Sequence, residues 1–115
     1  MEADPKRKLK IKSGVVKRIT REYASYEEEV KKEKERMNKF KETGSDDFSM
    51  RRQEQVVEET IKMIPDTRRR LRAAYDDLKD YMKQVDTIPE VTESEDWREA
   101  VENLARAESQ VLNSE

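Results

Sequence analysis

The densest chemical groups in this sequence are carboxylates and guanidiniums. Glu27-Glu28-Glu29 and Asp76-Asp77 set acids side by side, the residue type that paired acid–base work or a hard metal ion requires. That chemistry also needs a concave, partly desolvated setting to push the acids' pKa values apart. Lys31 and Lys32 follow Glu27 and Glu28 one helical turn on, which is the pattern of a solvated helix face. The most concentrated positive charge is Arg68-Arg69-Arg70-Leu71-Arg72. Asp66 can pair with Arg69 or Arg70, and Arg72 with Asp76, at the i,i+3 and i,i+4 spacings that meet on a helix. Two neighbouring arginines more than local pairing needs are left, and they suit an acidic protein partner. Lys6-Arg7-Lys8-Leu9-Lys10 is a second basic run. It could serve nuclear import or phosphate contact, but in an acidic chain it reads first as a solvated face.

The missing residue types exclude more. The 115 residues contain no His and no Cys, which removes imidazole acid–base catalysis, thiol nucleophiles, zinc clusters and disulfides. Gly14 and Gly44 stand alone, so no glycine-rich phosphate cradle can be written. No apolar run exceeds three residues, so no segment reads as a membrane span or a secretory signal. The expectation is a protein with no catalytic residues, no metal and no cofactor.

What must position the charged groups is helix. Lys and Arg number 25 against 27 Asp and Glu, a net charge of −2. Leu, Ile, Val and Phe make up less than a fifth of the chain, low enough to raise the question of disorder. Balanced charge built from helix formers, with only two glycines, fits long salt-bridged helices better. Val16, Ile19, Tyr23, Tyr26, Val30, Glu33, Met37 and Phe40 advance in alternating steps of three and four, the narrow seam of a coiled-coil-like helix with Glu33 its one polar member. Asp4 before Pro5 starts this helix and Gly44 ends it, giving residues 5–43.

Ser45 is the expected cap of a second helix over 46–86, with Asp46 and Asp47 in its first turn. Met50, Val57, Ile64, Leu71, Leu78 and Val85 repeat every seven residues, with Ile61, Ala74 or Tyr75, and Tyr81 or Met82 as companions. Pro65 interrupts the helix, a fault of about 3 kcal/mol in isolation. The seam keeps phase across it, which predicts a kinked helix and not two helices. Residues 86–92 form a connector, and Thr92 with Glu95 reads as a capping box. Trp97, Ala100 or Val101, Leu104, Ala107 and Val111 carry a third helix over about 93–112. The short turn at Gly44-Ser45 makes the first two helices an antiparallel hairpin. The expected fold is therefore all-α, one domain over 1–115, an up-down-up three-helix bundle with coiled-coil-like packing and helix 2 kinked at Pro65.

At 1.5 Å per residue the first two helices are each roughly 60 Å long and the third about 30 Å. The third should cover only the end formed by the two chain termini, leaving the loop end as a two-helix rod. Charge supports that placement, because residues 1–21 are basic and residues 86–115 acidic. Tyr23, Tyr26, Tyr75, Tyr81 and Trp97 fall on or beside the seams and read as core. Met37, Phe40, Phe48 and Met50 cluster at the hairpin tip, either stapling it or offering an apolar partner surface.

Two stretches, residues 11–19 (IKSGVVKRI) and 63–78 (MIPDTRRRLRAAYDDL), resemble the signature segments of the tubulin-binding cofactor A family. The third helix adds a similar Trp97-Arg-Glu-Ala100 segment, while Ser13 replaces a familiar Thr and Arg70 and Arg72 add charge. The resemblance implies a non-catalytic tubulin-folding chaperone. It would capture β-tubulin intermediates after chaperonin release, stabilise them and pass them toward αβ-heterodimer assembly. It implies a cytoplasmic, cytoskeleton-associated protein that uses no nucleotide, with β-tubulin as partner and other tubulin-folding cofactors as further candidates. Residues matching the motifs and expected off the seam are Lys17, Arg18, Asp66, Arg69 and Arg70, with Pro65, Gly44 and Trp97 structural. The rival class is a structural coiled-coil adaptor that self-associates through its tip. Nucleic-acid binding through residues 6–21 is the weakest of these three readings, and for a membrane-surface helix the apolar stripe is too narrow and is needed for the bundle. Monomer and weak homodimer stay open.

Overall fold

In the computed structural model, which describes residues 4–114, helix α1 begins where the chemistry asks for it. Pro5 occupies its first position, and Asp4 Oδ1 accepts the amide of Lys6 at 3.0 Å. α1 runs Pro5–Thr43 and α2 Asp47–Val85. A short α3 (Pro89–Thr92), then α4 (Glu95–Gln110) and a 3₁₀ turn, Leu112–Ser114, complete an all-α chain without a strand among the described residues.

Gly44 ends α1 in the left-handed region, φ 70°, where a Cβ would be strained. The Ser45 amide then reaches back to the Phe40 carbonyl at 3.0 Å, closing a Schellman motif. That use of Ser45 corrects the expected cap of α2. Asp46 takes the role, its Oδ1 accepting the Ser49 amide at 2.7 Å. The bond holds the Asp46 carboxyl below its ordinary pKa. α2 continues through Pro65 as one helix.

The stretch 86–92 is more ordered than a connector. Ile88-Pro89 starts α3, whose last residue is Thr92, its amide bonded to the Ile88 carbonyl at 3.0 Å. With Thr92 spent there, the expected box with Glu95 does not form. Ser94 caps α4 instead, its Oγ accepting the amide of Trp97 at 3.2 Å.

The chain divides into two units. The first takes the residues through Arg21 and again from Arg68. Its core is apolar: Leu9, Val16 and Ile19 of α1, Leu71, Tyr75, Leu78, Met82 and Val85 of α2, Val91 of α3, and Ala100, Ala107 and Val111 behind them. One polar cross-link is buried with them. Asn103 Nδ2 donates to Ser13 Oγ at 2.8 Å, and Arg106 donates to Asn103 Oδ1 at 3.0 Å. Ala100, not Val101, is the buried member of that seam; Val101 is exposed.

The second unit, Glu22–Thr67, buries a different set. Tyr23 and Met37 are its buried apolar residues, and Glu33, Gln53, Thr60 and Thr67 are buried beside them. Gln53, Thr60 and Thr67 recur every seven residues, and the expected seam positions Met50, Val57 and Ile64 are only half-buried. Thr60 and Thr67 satisfy their hydroxyls locally, donating to the carbonyls of Val56 and Met63 at 2.7 Å each. Gln53 Nε2 donates to Glu33 Oε2 at 2.8 Å and to the Glu33 carbonyl at 3.0 Å.

Candidate functional site

Glu27, Glu28 and Glu29 of α1 and Asp76 and Asp77 of α2 are all exposed. Asp77 is held by Lys12, Nζ to Oδ2 2.7 Å, on the surface of the first unit. Glu33 is clamped by Gln53 and by Arg36 at 3.2 Å in the second. Among the described residues no group of acids is placed to hold a metal ion. The Tyr75 hydroxyl is pushed up to about 12 by burial and by its hydrogen bond to the Glu108 carboxylate. It is a structural bond inside the first unit. Among the described residues no helix is long and apolar enough to cross a membrane.

Helix faces remain. Lys17 and Arg18 are exposed positions of α1, and Arg69 and Arg70 exposed positions of α2, all four in the first unit. Asp66, also exposed on α2, belongs to the second unit, as does Pro65. Trp97 is half-buried on α4. The residues expected off the seams are thus off them. Arg68, first of the arginine run, is half-buried.

Each unit also has an open groove. In the first, Ile11, Lys12, Asp77 and Tyr81 line one, with the Lys12 ammonium 5.7 Å from the Tyr81 ring centre. In the second, Val30, Ile61, Ile64 and Pro65 form a mostly apolar trough of ≈ 360 Å³, bounded by Glu27 and Lys34. Ile61, expected on the seam, lies 41% exposed. One turn before Pro65, α2 thus presents an apolar side chain to solvent.

The tip cluster separates. Met37 is buried, Phe40 and Met50 are half-buried, and Phe48 stands 74% exposed at the start of α2. Phe48 therefore does not staple the tip. Sequence periodicity missed Gln53, Thr60, Thr67 and Asn103 because it counts apolar residues; the seven-residue spacing of the first three was the available signal.

Comparison with known proteins matches residues 4–104 to the family model described as tubulin binding cofactor A. The chain is 38% identical to tubulin-specific chaperone A of Rattus norvegicus over 99 residues, 85% of this chain and 89% of that one. The crystal structure of tubulin folding cofactor A from Arabidopsis thaliana is similar with a TM-score of 0.83 at 35% identity, covering 92% of this chain and 97% of that one. The crystal structure of tubulin-binding cofactor A from Leishmania major gives a TM-score of 0.82 at 27% identity, covering 96% and 99%.

Proposed function

The chain belongs to the tubulin binding cofactor A family, and we propose that it is a non-catalytic chaperone that captures β-tubulin after chaperonin release and passes it toward αβ-heterodimer assembly. The observation that carries the reading is the family match across nearly all of the described residues. Its physical support is a surface of balanced, exposed charge on long helices, which keeps such a carrier dissolved while it covers an aggregation-prone client.

The proposal places the partner-binding residues at Lys17, Arg18, Asp66, Arg69 and Arg70, with action in the cytoplasm. It takes the architecture to be one antiparallel domain of three long helices, α1, α2 and α4, with the short α3 between the last two and α2 kinked at Pro65. Guanidiniums are the side chains of choice for an acidic protein surface, because their planar forks grip carboxylates in pairs.

Light-scattering mass on a sizing column tests the reading, with the protein alone and then with released β-tubulin or α-tubulin. A peak at the summed mass with β-tubulin and none with α-tubulin is expected. No complex, with the protein alone running as a stable oligomer, would favour instead the self-associating adaptor, a reading to which the exposed Phe48 ring lends its weight.

A further inference from the structure

Gly14 lies in the interior of α1, where glycine weakens a helix relative to alanine. Nothing in the fold asks for it. Its backbone is not in the left-handed region, and a Cβ built there meets no atom within 4 Å. The bare backbone at this position faces open space. Its neighbours on the helix surface are charged alike: Arg7, Lys10, Gly14, Lys17 and Arg21 follow one another at steps of three and four, all exposed. Such spacing makes one stripe along a helix. Ile11, one turn before Gly14, is 59% exposed beside it.

We infer that this stripe is the seat of an acidic helix of the protein partner, which packs directly on the α1 backbone at Gly14. A missing side chain lets two helix axes come closer than ordinary side chains permit. Lys10 and Lys17, one turn to either side, and Arg7 and Arg21 beyond them meet carboxylates along such a helix, while Ile11 supplies the apolar contact. Charge complementarity selects the acidic occupant. The inference deepens the chaperone reading and rests on its claim that the client is a protein; it specifies that part of the client surface is an acidic helix.

The test uses two probes on the full chain: released β-tubulin, and a synthetic amphipathic helix with Glu along one face and Ala along the other, with its Lys counterpart as control. Gly14→Ala and Gly14→Leu should both raise the melting temperature, since better helix formers replace glycine at an open site. Gly14→Leu should nevertheless weaken both probes by about tenfold or more, because the seat is filled. Lys10→Glu should weaken both by a similar factor, whereas Lys39→Glu on the second unit should leave the peptide affinity unchanged. Binding of the acidic peptide should fall with added salt.

Normal binding by the stabilised Gly14→Leu protein overturns the inference, and so does equal binding of the acidic and basic peptides. Retention of duplex DNA in place of the acidic peptide would assign the stripe to phosphates and overturn it too. If the wild-type chain ignores β-tubulin yet holds the acidic peptide in a Gly14-dependent way, the client assignment fails and the seat stands.

Discussion

Gln53 grips Glu33 twice across the second unit, by the carboxylate at 2.8 Å and by the main-chain carbonyl at 3.0 Å. A seam normally filled with Leu or Val thus carries a polar clasp, fixed from a second direction by Arg36. Such a clasp specifies how two helix faces meet more than it adds stability, since both partners give up water to form it. Gln53→Ala should therefore cost about 1–3 kcal/mol by leaving the Glu33 carboxylate underpaired, and Glu33→Ala a comparable amount. The Glu33→Leu/Gln53→Leu protein should recover most of that loss. Urea unfolding of the four proteins checks it; additive losses in the double mutant would contradict the clasp.

The unevenness of burial has a dynamic consequence. Four of the six buried residues between Glu22 and Thr67 are polar, whereas α2 beyond Arg68 buries Leu71, Tyr75, Leu78 and Met82 in unbroken succession. Local opening is easiest where few apolar contacts must be broken. Amide hydrogen exchange should be roughly tenfold faster or more over residues 50–62 than over 71–82 of the same helix, a difference of about 1.4 kcal/mol in opening. Equal protection along α2 would show that the clasp and the Thr hydroxyls compensate fully.

That division also marks where the sequence was readable. At Leu71, Leu78 and Val85 the heptad series and the packing agree, and there the expected seam is the buried one. In the earlier half of α2 the same series gives Met50, Val57 and Ile64, yet the side chains excluded from water are Gln53, Thr60 and Thr67. A polar residue can be buried only if its partners are present. Those partners, Glu33 for Gln53 and i−4 carbonyls for the threonines, lie outside any count of hydrophobicity. Cap identity fails for a similar reason. Ser45 and Asp46 are equally good caps by type, and the choice is made by the Gly44 turn, which takes the Ser45 amide for α1. Exposure of a charged helix residue follows from phase alone, and Lys17, Arg18, Asp66, Arg69 and Arg70 are all exposed.

Tyr75 gives a pH signature. Its hydroxyl donates to the Glu108 carboxylate and its folded pKa is about 12, raised from 10 first by burial and then by Glu108. A group whose pKa is raised on folding contributes stability that is complete below the unfolded value and is lost as pH climbs through the folded one. The alkaline window from about 10 to 12 is therefore where wild type loses stability relative to Tyr75→Phe. Paired thermal melts across that window, with tyrosinate absorbance to follow ionisation, should show the two curves converging. A constant gap would mean that Tyr75 ionises as it does in the unfolded chain.

Asp46 works with the opposite sign. Accepting the Ser49 amide keeps its carboxyl below the ordinary value of 3.8, so its contribution is present above that value and fades as pH falls through the lower folded one. Asp46→Ala should melt the first turn of α2 at neutral pH, read as faster exchange of the Ser49 amide. The difference from wild type should narrow under acid, and Asp46→Asn should keep most of the cap because its side-chain oxygen still accepts.

The proposed client contact at Arg69 and Arg70 is tested at two exposed positions of α2. Both side chains are exposed, while the neighbouring Leu71 is fully buried and anchors the helix in place. Substitutions at exposed helix positions ordinarily shift stability by about 0.5 kcal/mol or less, so Arg69→Glu/Arg70→Glu should keep its helical signal and melting temperature within a few degrees. The double reversal replaces two carboxylate-gripping forks by like charges, and juxtaposed like charges cost several kcal/mol in an interface. Binding of β-tubulin should therefore fall by a factor on the order of a hundred or more. An Arg69→Lys/Arg70→Lys protein separates charge from geometry. Partial retention is expected, because an ammonium keeps the sign but cannot grip a carboxylate in the paired fashion of a guanidinium. Full binding by the doubly reversed protein would remove Arg69 and Arg70 from the contact.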